Sequence, residues 1–447
     1  MITFLSLFFG LITGPYPVEL TVNGPVAAVE MVLDGRSLGQ LQGPPWKARI
    51  DFGLDLLPHK LTARALDTAG REIARAEEWV NLPHSLTKVD ILLEGDKLGP
   101  PRAAKLSWTN LRGEVPRTVT LTFDGQLLPL DAAGRALLPP HDLKSVHVLS
   151  AEIASSPENL VRKDVAYGGE YGSEVSTELT GVPVRVRKGS LPPAEKLGGW
   201  LTAAGAPLAV AAVEEGPAYL YVVRAADDVR KLGSKGLGAP PRGRRQWDPP
   251  GGVWEARFSN DQQVRLLLPF TRRYESSGET TDLFDISPPF GTQGGFPTMI
   301  SHLGPANAPP WLRPGKLNPE RRIADAVAVA AQEAVRENRR RAVLLVVSGN
   351  EKDESLYDAA MVRRFLAALR VPLFVWCLEE PAPGSPLAAW GTCENVTAAP
   401  GIVNGMDRIR KELDAQRIIL VDGRHLPQSI ALSSAAIGVE LVGERTP

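Results

Sequence analysis

The stretch AVLLVVSGNEKDES, residues 342–355, decides the fold of this chain. Its first six residues are all apolar and mostly branched, and Ser348-Gly349-Asn350 follow at once. A strand that is apolar at every position is typical of a parallel sheet with helices on both faces. Polar residues directly after such a strand lie at the sheet edge where α/β proteins bind their ligands. The stretch therefore predicts a doubly wound α/β domain with a site near Asn350.

The segments around this strand alternate between helical and strand patterns. ERRIADAVAVAAQEAVRENRRR, residues 320–341, has apolar residues at helical spacing. YDAAMVRRFLAAL and GMDRIRKELDAQ predict two more helices, and LAVAAVEEG, AYLYVVR, VPLFVWCL and RIILV predict further strands. GVWEARFSNDQQVRLLLPF predicts a hairpin that turns at Asn260-Asp261. We place this domain at residues 200–425, after a linker at 189–199, and interpret a Pro- and Gly-rich insert at 274–318 as a surface elaboration or binding loop.

The N-terminal part of the chain predicts β structure instead. Residues 15–83 contain strand patterns separated by Gly, Pro, Asn or Asp, and Asp34-Gly35 fits a tight hairpin turn. Residues 86–188 repeat the theme, because each copy has a strand that ends in Asp-Gly and a later LLPH or LPPH turn. In this register His59 and His141 occupy matching turns. The pattern predicts two tandem immunoglobulin-like β-sandwich modules.

The first residues, 1–14, are largely apolar and end at a Gly-Pro break. Their length fits the core of an export signal and is too short to span a bilayer, although a buried first strand is the alternative. No later segment has eighteen consecutive apolar residues. We therefore predict export to the periplasm or the cell exterior, with no transmembrane anchor beyond this segment. Residues 426–447 predict a C-terminal strand and tail.

The charge of the chain is balanced, with 50 Lys and Arg against 51 Asp and Glu. This balance does not favour nucleic acid or an acidic membrane surface as the partner. The two cysteines, Cys377 and Cys393, could close a disulfide loop of about fifteen residues in an exported protein, or could remain free thiols. Without suitable histidines they make no zinc site.

The C-terminal half resembles a von Willebrand factor A domain. The whole chain resembles bacterial secreted proteins in which such a domain follows β-sandwich modules. The resemblance covers roughly residues 200–425 and is distributed over several segments rather than carried by one motif. Those segments are RFSNDQQVRLLLPFT, IADAVAVAAQEAVRENRRRAVLLVVSG, VRRFLAALRVPLFVWCL and GMDRIRKELDAQRIIL. The resemblance implies the fold more than the function, because one fold can carry many functions.

The family's ligand site holds a divalent metal through an Asp-x-Ser-x-Ser segment, a Thr before a helix and an Asp after the central strand. These oxygen ligands suit a hard cation such as Mg²⁺. In this sequence the first segment falls on Arg224-Ala225-Ala226-Asp227-Asp228, the Thr position falls near Arg321 and the last Asp falls on Gly349. Two arginines would repel a cation, so the resemblance implies a degenerate metal site.

Two alternatives stay open at this site. A shifted alignment would recruit Asp227 or Asp353 and keep metal-dependent adhesion. Without metal, the two arginines could accept a partner's carboxylate directly. They could equally pair with neighbouring carboxylates such as Asp228 and Asp325.

No motif for catalysis is present in the sequence. It has no histidine pair at helical spacing and no phosphate-binding loop. The acidic residues at 351–354 fit a solvated loop better than a calcium site. The enzymatic alternative is a secreted hydrolase that uses Glu279, Asp282 and Asp285 in the insert. A pair of these carboxylates would have to lie roughly 5–10 Å apart in a cleft.

These observations together predict a non-catalytic module for protein–protein interaction or adhesion. We expect it to be exported and to serve as a subunit or scaffold of a cell-envelope assembly. We predict no catalytic residue, no metal and no cofactor, and a partner that is another, unidentified protein. The aromatic candidates could anchor the partner or pack the insert onto its own domain. The candidate contact residues are Arg224, Arg321, Asn350, Phe290, Phe296 and Trp311.

Overall fold

The structure is a computed structural model of the chain. The chain forms two compact units. One comprises Met1–Pro83, Leu179–Thr271 and Phe284–Pro447, and the other comprises His84–Glu178 and Arg272–Leu283. The structure describes residues 2–6, 8, 10–22, 26–83, 87–94, 100–110, 115–142, 147–156, 159–167, 179–187, 189–214, 216–226, 259, 261–276, 279–291, 317–336, 338–349, 351–379 and 386–443.

The first module is a β-sandwich. Its described strands are β1 (Ile2–Phe4), β2 (Pro15–Val22), β3 (Ala28–Leu33), β4 (Arg36–Leu41), β5 (Lys47–Asp51), β6 (His59–Leu66) and β7 (Glu72–Val80). One antiparallel sheet has the order β1-β2-β5 and the other the order β4-β3-β6-β7. Side chains of both sheets form one buried core that includes Leu20, Val29 and Leu61.

Residues 1–14 contribute the first strand of this sandwich. Ile2 pairs with Val22 and Phe4 pairs with Leu20. Ile2 and Phe4 are buried because alternate residues of a strand point to the same face. The structure differs here from the leader-like segment of the sequence prediction and agrees with its alternative, a buried first strand. Export itself stays a prediction.

Asn81 fastens this N-terminal segment to the rest of the module. The side chain of Asn81 is fully buried. Its Oδ1 accepts the Ile12 N–H at 2.7 Å, and its Nδ2 donates to the carbonyl oxygens of Ile12 and Leu57, both at 2.8 Å. Its backbone has a φ of 60°, which asparagine tolerates better than most residues. One side chain therefore satisfies three backbone groups that belong to two segments.

The second module repeats the same strand order. Its described strands are β8 (Thr87–Glu94), β9 (Ala103–Asn110), β10 (Thr118–Phe123), β11 (Gln126–Leu128), β12 (Arg135–Leu137), β13 (His147–Ser156) and β14 (Asn159–Tyr167). The sheets are β12-β9-β8 and β11-β10-β13-β14. In both modules the first, second and fifth strands form one sheet and the other four form the second. The prediction of N-terminal β-sandwiches is confirmed.

The remaining elements follow in chain order. The helices are α1 (Ile323–Arg336), α2 (Ala359–Ala368) and α3 (Ala399–Ala415), with 3₁₀ turns at Ala194–Lys196, Pro386–Trp390 and Pro427–Ser429. The strands are β15 (Leu179–Val186), β16 (Leu201–Ala203), β17 (Ala206–Pro207), β18 (Val210–Glu214), β19 (Ala218–Arg224), β20 (Gln262–Ser276), β21 (Glu279–Ile286), β22 (Phe290–Gly291), β23 (Arg340–Val347), β24 (Leu373–Cys377), β25 (Glu394–Asn395), β26 (Gln416–Asp422), β27 (Ile430–Leu432) and β28 (Val439–Leu441). None of the helices in the described ranges is long and apolar enough to cross a bilayer.

The quoted strand, β23, lies in the middle of a mainly parallel sheet. The strand order is β21-β20-β19-β23-β24-β25, and β22 pairs with β20. The pairs β19–β20, β19–β23, β23–β24 and β24–β25 are parallel. Val343 and Leu345 pack in a cluster with α1 and α2, while Leu344 and Val346 pack with α3. Both faces of β23 are covered, which explains why it is apolar without alternation.

Two strands predicted for this sheet lie elsewhere, so that part of the prediction is wrong. The segment LAVAAVEEG contains β18, and RIILV forms most of β26. β26 pairs antiparallel with β15 and with β18. The order β18-β26-β15-β28, together with the sheet β17-β16-β27, defines what we call the discontinuous β-domain. Its core includes Val184, Leu197, Ile419 and Leu441.

The discontinuous β-domain also changes three predicted boundaries. β15 was assigned to the second module at 86–188, but it pairs with β26 and β28. The predicted linker at 189–199 contains Leu197, which is fully buried. The predicted tail at 426–447 supplies β27 and β28. The physical reason is that the last strands can satisfy their hydrogen bonds only with β15 and β16, which are distant in sequence.

The structure describes only the second arm of the predicted hairpin, β20. Asp261 directly precedes β20, and β20 pairs parallel with β19 at its start. The neighbour of β20 at the sheet edge is β21, the next described strand along the chain. The first arm of the predicted hairpin, 251–258, lies outside the described residues.

The first module packs directly on the helices of the parallel sheet. Leu56, Trp79 and Leu82 belong to the same buried cluster as residues of α1 and α2. The Tyr357 hydroxyl donates to the Leu11 carbonyl oxygen at 2.6 Å, and Gln428 Nε2 donates to the Pro58 carbonyl oxygen at 2.7 Å. We call these contacts the module 1 junction. They join the sandwich and the sheet through one shared core.

Candidate interaction site at the strand ends

The C-terminal ends of the parallel strands meet at one edge of the sheet. β19 ends at Arg224, β23 at Val347 and β24 at Cys377. The N–H groups of Ala225 and Ala226 both donate to the Val346 carbonyl oxygen at 2.9 Å, which ties the first two strand ends together. In doubly wound sheets this edge is where ligands bind. The predicted positions Arg224 and Gly349 therefore lie at this edge of the sheet.

Glu351 folds back on the end of β23. Its carboxylate accepts hydrogen bonds from the N–H of Ser348 and, at 3.1 Å, from that of Gly349. Gly349 has a φ of 117°, and a Cβ at this position would lie 2.7 Å from the Glu379 carbonyl oxygen. No side chain fits there without a shift of the backbone. The aspartate of the family's metal site therefore does not fit at position 349.

Asp353 occupies the N-terminus of α1. Its two oxygens accept the N–H groups of Ile323 at 2.9 Å and Ala324 at 3.2 Å. The Ser355 hydroxyl donates to the same carboxylate at 2.6 Å. A carboxylate at a helix N-terminus satisfies unpaired N–H groups and interacts favourably with the helix dipole. The shifted alignment would make Asp353 a metal ligand, but in the structure its oxygens are engaged with the helix.

Asp325 fixes the same loop from the helix side. It is buried and forms a salt bridge with Arg322 at 2.6 Å. It also accepts the N–H groups of Leu356 at 3.1 Å and Tyr357 at 3.3 Å. The loop between β23 and α2 is consequently attached to α1 by two carboxylates, Asp325 and Asp353. These contacts make it a rigid part of the sheet edge.

The two arginines of the prediction have different environments. Arg224 is buried, with 8% of its surface exposed, so a partner's carboxylate does not reach it without a rearrangement. Arg321 is half-buried and pairs through its backbone with Glu354, whose N–H donates to the Arg321 carbonyl oxygen at 2.7 Å. The guanidinium carbon of Arg321 lies 5.7 Å from the centre of the Phe270 ring, a cation–π distance.

The other predicted contact residues are only partly covered by the structure. Phe290 lies in β22 and packs, partly buried, against the core on the α3 face of the sheet. This agrees with the packing alternative for that residue. Asn350, Phe296 and Trp311 lie outside the described residues, as do Asp227 and Asp228.

Sequence reasoning missed two exposed leucines near this edge. Leu356 has 77% of its surface exposed and Leu317 has 40%. Leu356 follows the loop that is fixed by Asp353, and Leu317 lies shortly before α1. We call Leu317, Arg321, Glu354 and Leu356 the strand-end surface. The apolar position in ESLYD was visible in the sequence, but its exposure depends on the tertiary contacts of the loop.

The carboxylates of the hydrolase alternative lie on one strand, β21. Asp282 accepts a hydrogen bond from Arg273 at 3.3 Å, and Asp285 is buried. Residues three apart on a strand point to opposite faces. Asp282 and Asp285 therefore do not face each other as an acid–base pair. The side chain of Glu279 lies outside the described residues.

The two cysteines lie close to β24 and β25, the last pair of strands in the order of the parallel sheet. Cys377 is the last residue of β24 and is fully buried, and Cys393 lies directly before β25. The structure joins them in a disulfide with a Cα–Cα distance of 5.9 Å, within the usual range for such bonds. Within the described part of the chain, no group of three or more His, Cys, Asp or Glu residues could hold a metal ion.

Comparison with known proteins gives only weak similarities. No family model matches the chain, and no curated protein matches it. Among solved structures, fibronectin(III)-like modules of Clostridium thermocellum CbhA are 17% identical, with 39% of this chain and 100% of that chain covered and a TM-score of 0.15. A β-glycosidase from Bacteroides vulgatus is 16% identical, with 37% and 24% covered and a TM-score of 0.20. The central fibronectin-III array of RIM-binding protein is 8% identical, with 45% and 81% covered and a TM-score of 0.19.

Proposed function

We propose that the protein is a non-catalytic interaction module whose parallel sheet presents a rigid edge to another protein. The sheet order supports the resemblance to a von Willebrand factor A domain. With β19 counted as the first strand and β22 left aside, the order is 3-2-1-4-5-6, a doubly wound arrangement that binds ligands at the C-terminal strand ends. Two sandwich modules ahead of this sheet also fit the secreted proteins that the sequence resembles.

The observation that carries the proposal is the presentation of Leu356. Its side chain is 77% exposed, while its backbone N–H is held by the buried Asp325. An apolar side chain on a fixed backbone loses little conformational freedom on binding, which favours affinity. Arg321 and Glu354 on the same surface would supply a polar rim.

The contact that we propose does not use a metal ion. At the positions of the family's ligands this chain has Arg224, a residue near Arg321 and Gly349, and no side chain fits at position 349. The nearby carboxylates of Glu351 and Asp353 are engaged with backbone N–H groups. The residues therefore do not fit the metal, and the partner would be bound through apolar and charge contacts alone.

We further propose that the protein works outside the cytoplasm. The disulfide between Cys377 and Cys393 supports this location, because disulfides persist in oxidising compartments. The partner would then be a protein of the cell envelope or cell surface.

The test is capture from cell-envelope extract with the full chain as bait, in the presence of Mg²⁺ and of EDTA. We expect Leu356→Asp to lower recovery of the specific partner about tenfold, as loss of an apolar anchor does. Leu127→Asp is the matched control, because Leu127 is also exposed (69%) but lies on β11 of the second module.

Three results would contradict the proposal. Loss of the partner in EDTA with recovery in Mg²⁺ would mean that a metal site operates. Equal loss with the Leu356→Asp and Leu127→Asp variants would move the contact away from the strand-end surface. Retention of the partner by Leu356→Asp would do the same.

A further inference from the structure

Arg341 is a fully buried cation for which the described residues supply no counter-charge. It is the second residue of β23, and 0% of its surface is exposed. Its Nη2 donates to the Leu369 carbonyl oxygen at 3.4 Å, a weak hydrogen bond. Its Nε and Nη1 are buried and have no hydrogen-bond partner. Among the residues that the structure describes, no carboxylate pairs with it.

The neighbouring Arg340 lies in the same strand, but the N–H groups of its guanidinium have protein acceptors. It is also buried, with 5% exposed. Its Nε and Nη2 donate to the Gly216 carbonyl oxygen at 3.0 and 2.9 Å, and its Nη1 donates to that of Leu413 at 3.2 Å. It also forms a salt bridge with Asp261. Among the described residues, the fold thus provides several acceptors and a carboxylate for Arg340, and one weak acceptor and no carboxylate for Arg341.

A second buried arginine increases the positive charge near Arg341. Arg370 follows Leu369 in the chain and is 5% exposed. Its Nε donates to the Pro427 carbonyl oxygen at 3.0 Å and its Nη2 to that of Ile430 at 2.5 Å. Burial lowers the pKa of Arg341 to about 10, and the charge of Arg370 also acts to lower it. At neutral pH the guanidinium of Arg341 nevertheless stays protonated.

We propose that Arg341 binds a small inorganic anion of chloride size between β23 and the Leu369–Arg370 turn. A buried charge is costly unless a counter-charge and hydrogen bonds accompany it. A water molecule would satisfy an N–H group of Arg341 but would leave the charge uncompensated. A halide accepts hydrogen bonds from the guanidinium and also neutralises it. The full burial of Arg341 favours a small anion over an organic carboxylate.

The test is the dependence of stability on chloride at constant ionic strength, with potassium gluconate as the replacement salt. An anion bound only by the folded state lowers the unfolding constant about tenfold for each tenfold rise in its concentration above the Kd. We expect this dependence in the wild type and its loss in Arg341→Met. Arg340→Met is the matched control, and we expect it to keep the dependence because the donors of Arg340 have protein acceptors.

A direct measurement covers the case in which Arg341→Met does not fold. Crystals of the wild type grown in bromide should give an anomalous peak beside the Nε and Nη1 atoms of Arg341. Ordered water there, without an anomalous peak, would overturn the proposal. An unfolding constant that is independent of chloride in the wild type, or equally dependent in Arg341→Met, would also overturn it.

Discussion

The two sandwich modules have the same strand order but are stabilised differently. In the first module Leu56, Trp79 and Leu82 extend the buried core into the helices α1 and α2. In the second module the described core, including Leu106, Leu121 and Leu149, consists of its own strands. The shared strand order follows from local turns and alternation, whereas the shared core of the first module depends on contacts between domains. The comparison therefore separates the local pattern that sets the strand order of a module from the contacts that attach the first module to the helices.

In both modules the turn between the third and fourth strands carries an aspartate that is hydrogen-bonded to a histidine. Asp34 and Asp124 each precede a glycine and adopt a positive φ, 51° and 47°. Each carboxylate accepts the ring Nδ1–H of a histidine at the start of the sixth strand, His59 at 2.7 Å and His147 at 2.8 Å. The counterpart of His59 is therefore His147. The sequence-based match with His141 was wrong, because the repeat aligns by Asp-Gly rather than by the later proline-rich turn.

The two Asp–His pairs differ at the second ring nitrogen. The Nε2 of His147 faces the Asp142 carbonyl oxygen at 2.8 Å. The Nε2 of His59 is buried and has no hydrogen-bond partner. An imidazole with acceptors at both nitrogens is fully satisfied only when it is protonated, and one with a single acceptor is better satisfied when neutral. The two acceptors therefore favour the protonated form of His147, and the ring of His59 lacks the second acceptor among the described residues.

The largest expected effect tests the module 1 junction. Trp79→Ala should lower the free energy of unfolding by about 3–5 kcal/mol, because it removes a buried aromatic ring from the core shared with the helices. Trp108 of the second module is 37% exposed, and Trp108→Ala should cost less than about 1.5 kcal/mol. Denaturant unfolding measures both changes. Equal losses of unfolding free energy in Trp79→Ala and Trp108→Ala would show that the core shared with the helices adds no stability to the first module.

The disulfide offers the next largest effect. Cys377 and Cys393 are 16 positions apart, so replacing both by alanine should cost about 3 kcal/mol. The loss should fall on the transition of the unit that contains the parallel sheet. The NMR signal of the His147 ring can report the second module separately, and its midpoint should not change. A common shift of both transitions would show that the units unfold as one.

A smaller effect tests the attachment of the N-terminal strand. Asn81→Ala should cost roughly 2–3 kcal/mol, because it leaves buried N–H and carbonyl groups of Ile12 and Leu57 unsatisfied. Asn338→Ala is the control, since Asn338 also has a positive φ but is only half-buried, with bonds to Gly181 and Leu179. Its loss should be about 1 kcal/mol. Equal losses would show that backbone conformation dominates at both sites.

The sequence predicted elements whose pattern is local. The uninterrupted apolar run of β23 indicated a strand covered on both faces, and Asp34-Gly35 indicated the hairpin turn that the structure contains. The pattern could not assign β26 to its sheet. β26 lies between β18 and β15 in the middle of its sheet. A central antiparallel strand that is covered by other parts of the protein can be as apolar as a parallel strand. Membership in a sheet depends on partners distant in sequence, here β15.

The edge of the sheet was predictable from the sequence, but the environment of its residues was not. A strand end followed by Ser348 and Gly349 located the edge of the sheet, because parallel strands bring their C-terminal ends together. The burial of Arg224 and the exposure of Leu356 were not predictable. The exposure of Leu356 depends on how the loop after β23 folds onto α1 through Asp325 and Asp353, and this contact is between residues about thirty positions apart.

The smallest expected effect sharpens the comparison of the two histidines. The Asp124 carboxylate raises the pKa of His147 above its ordinary value of 6.5. Burial opposes ionisation of Asp124, but the hydrogen bonds from His147 and the Val148 N–H outweigh it, so the pKa of Asp124 lies below 3.8. A raised histidine pKa gives stability that is complete below 6.5 and is lost as the pH rises through the folded-state pKa. A lowered aspartate pKa gives stability that is complete above 3.8 and is lost as the pH falls through the folded-state pKa.

The Asp124–His147 pair should therefore stabilise the second module most strongly between about pH 4 and pH 6.5. Because the pair is partly exposed, we expect a contribution of about 0.5 kcal/mol within this window. His147→Gln should remove the loss of stability between pH 6 and pH 8, whereas His59→Gln should leave that loss in place. Denaturant unfolding at several pH values and an NMR titration of both rings measure these effects. If the loss of stability between pH 6 and pH 8 persists in His147→Gln, the acceptors around the His147 ring have no energetic consequence. The two modules would then differ only at the module 1 junction.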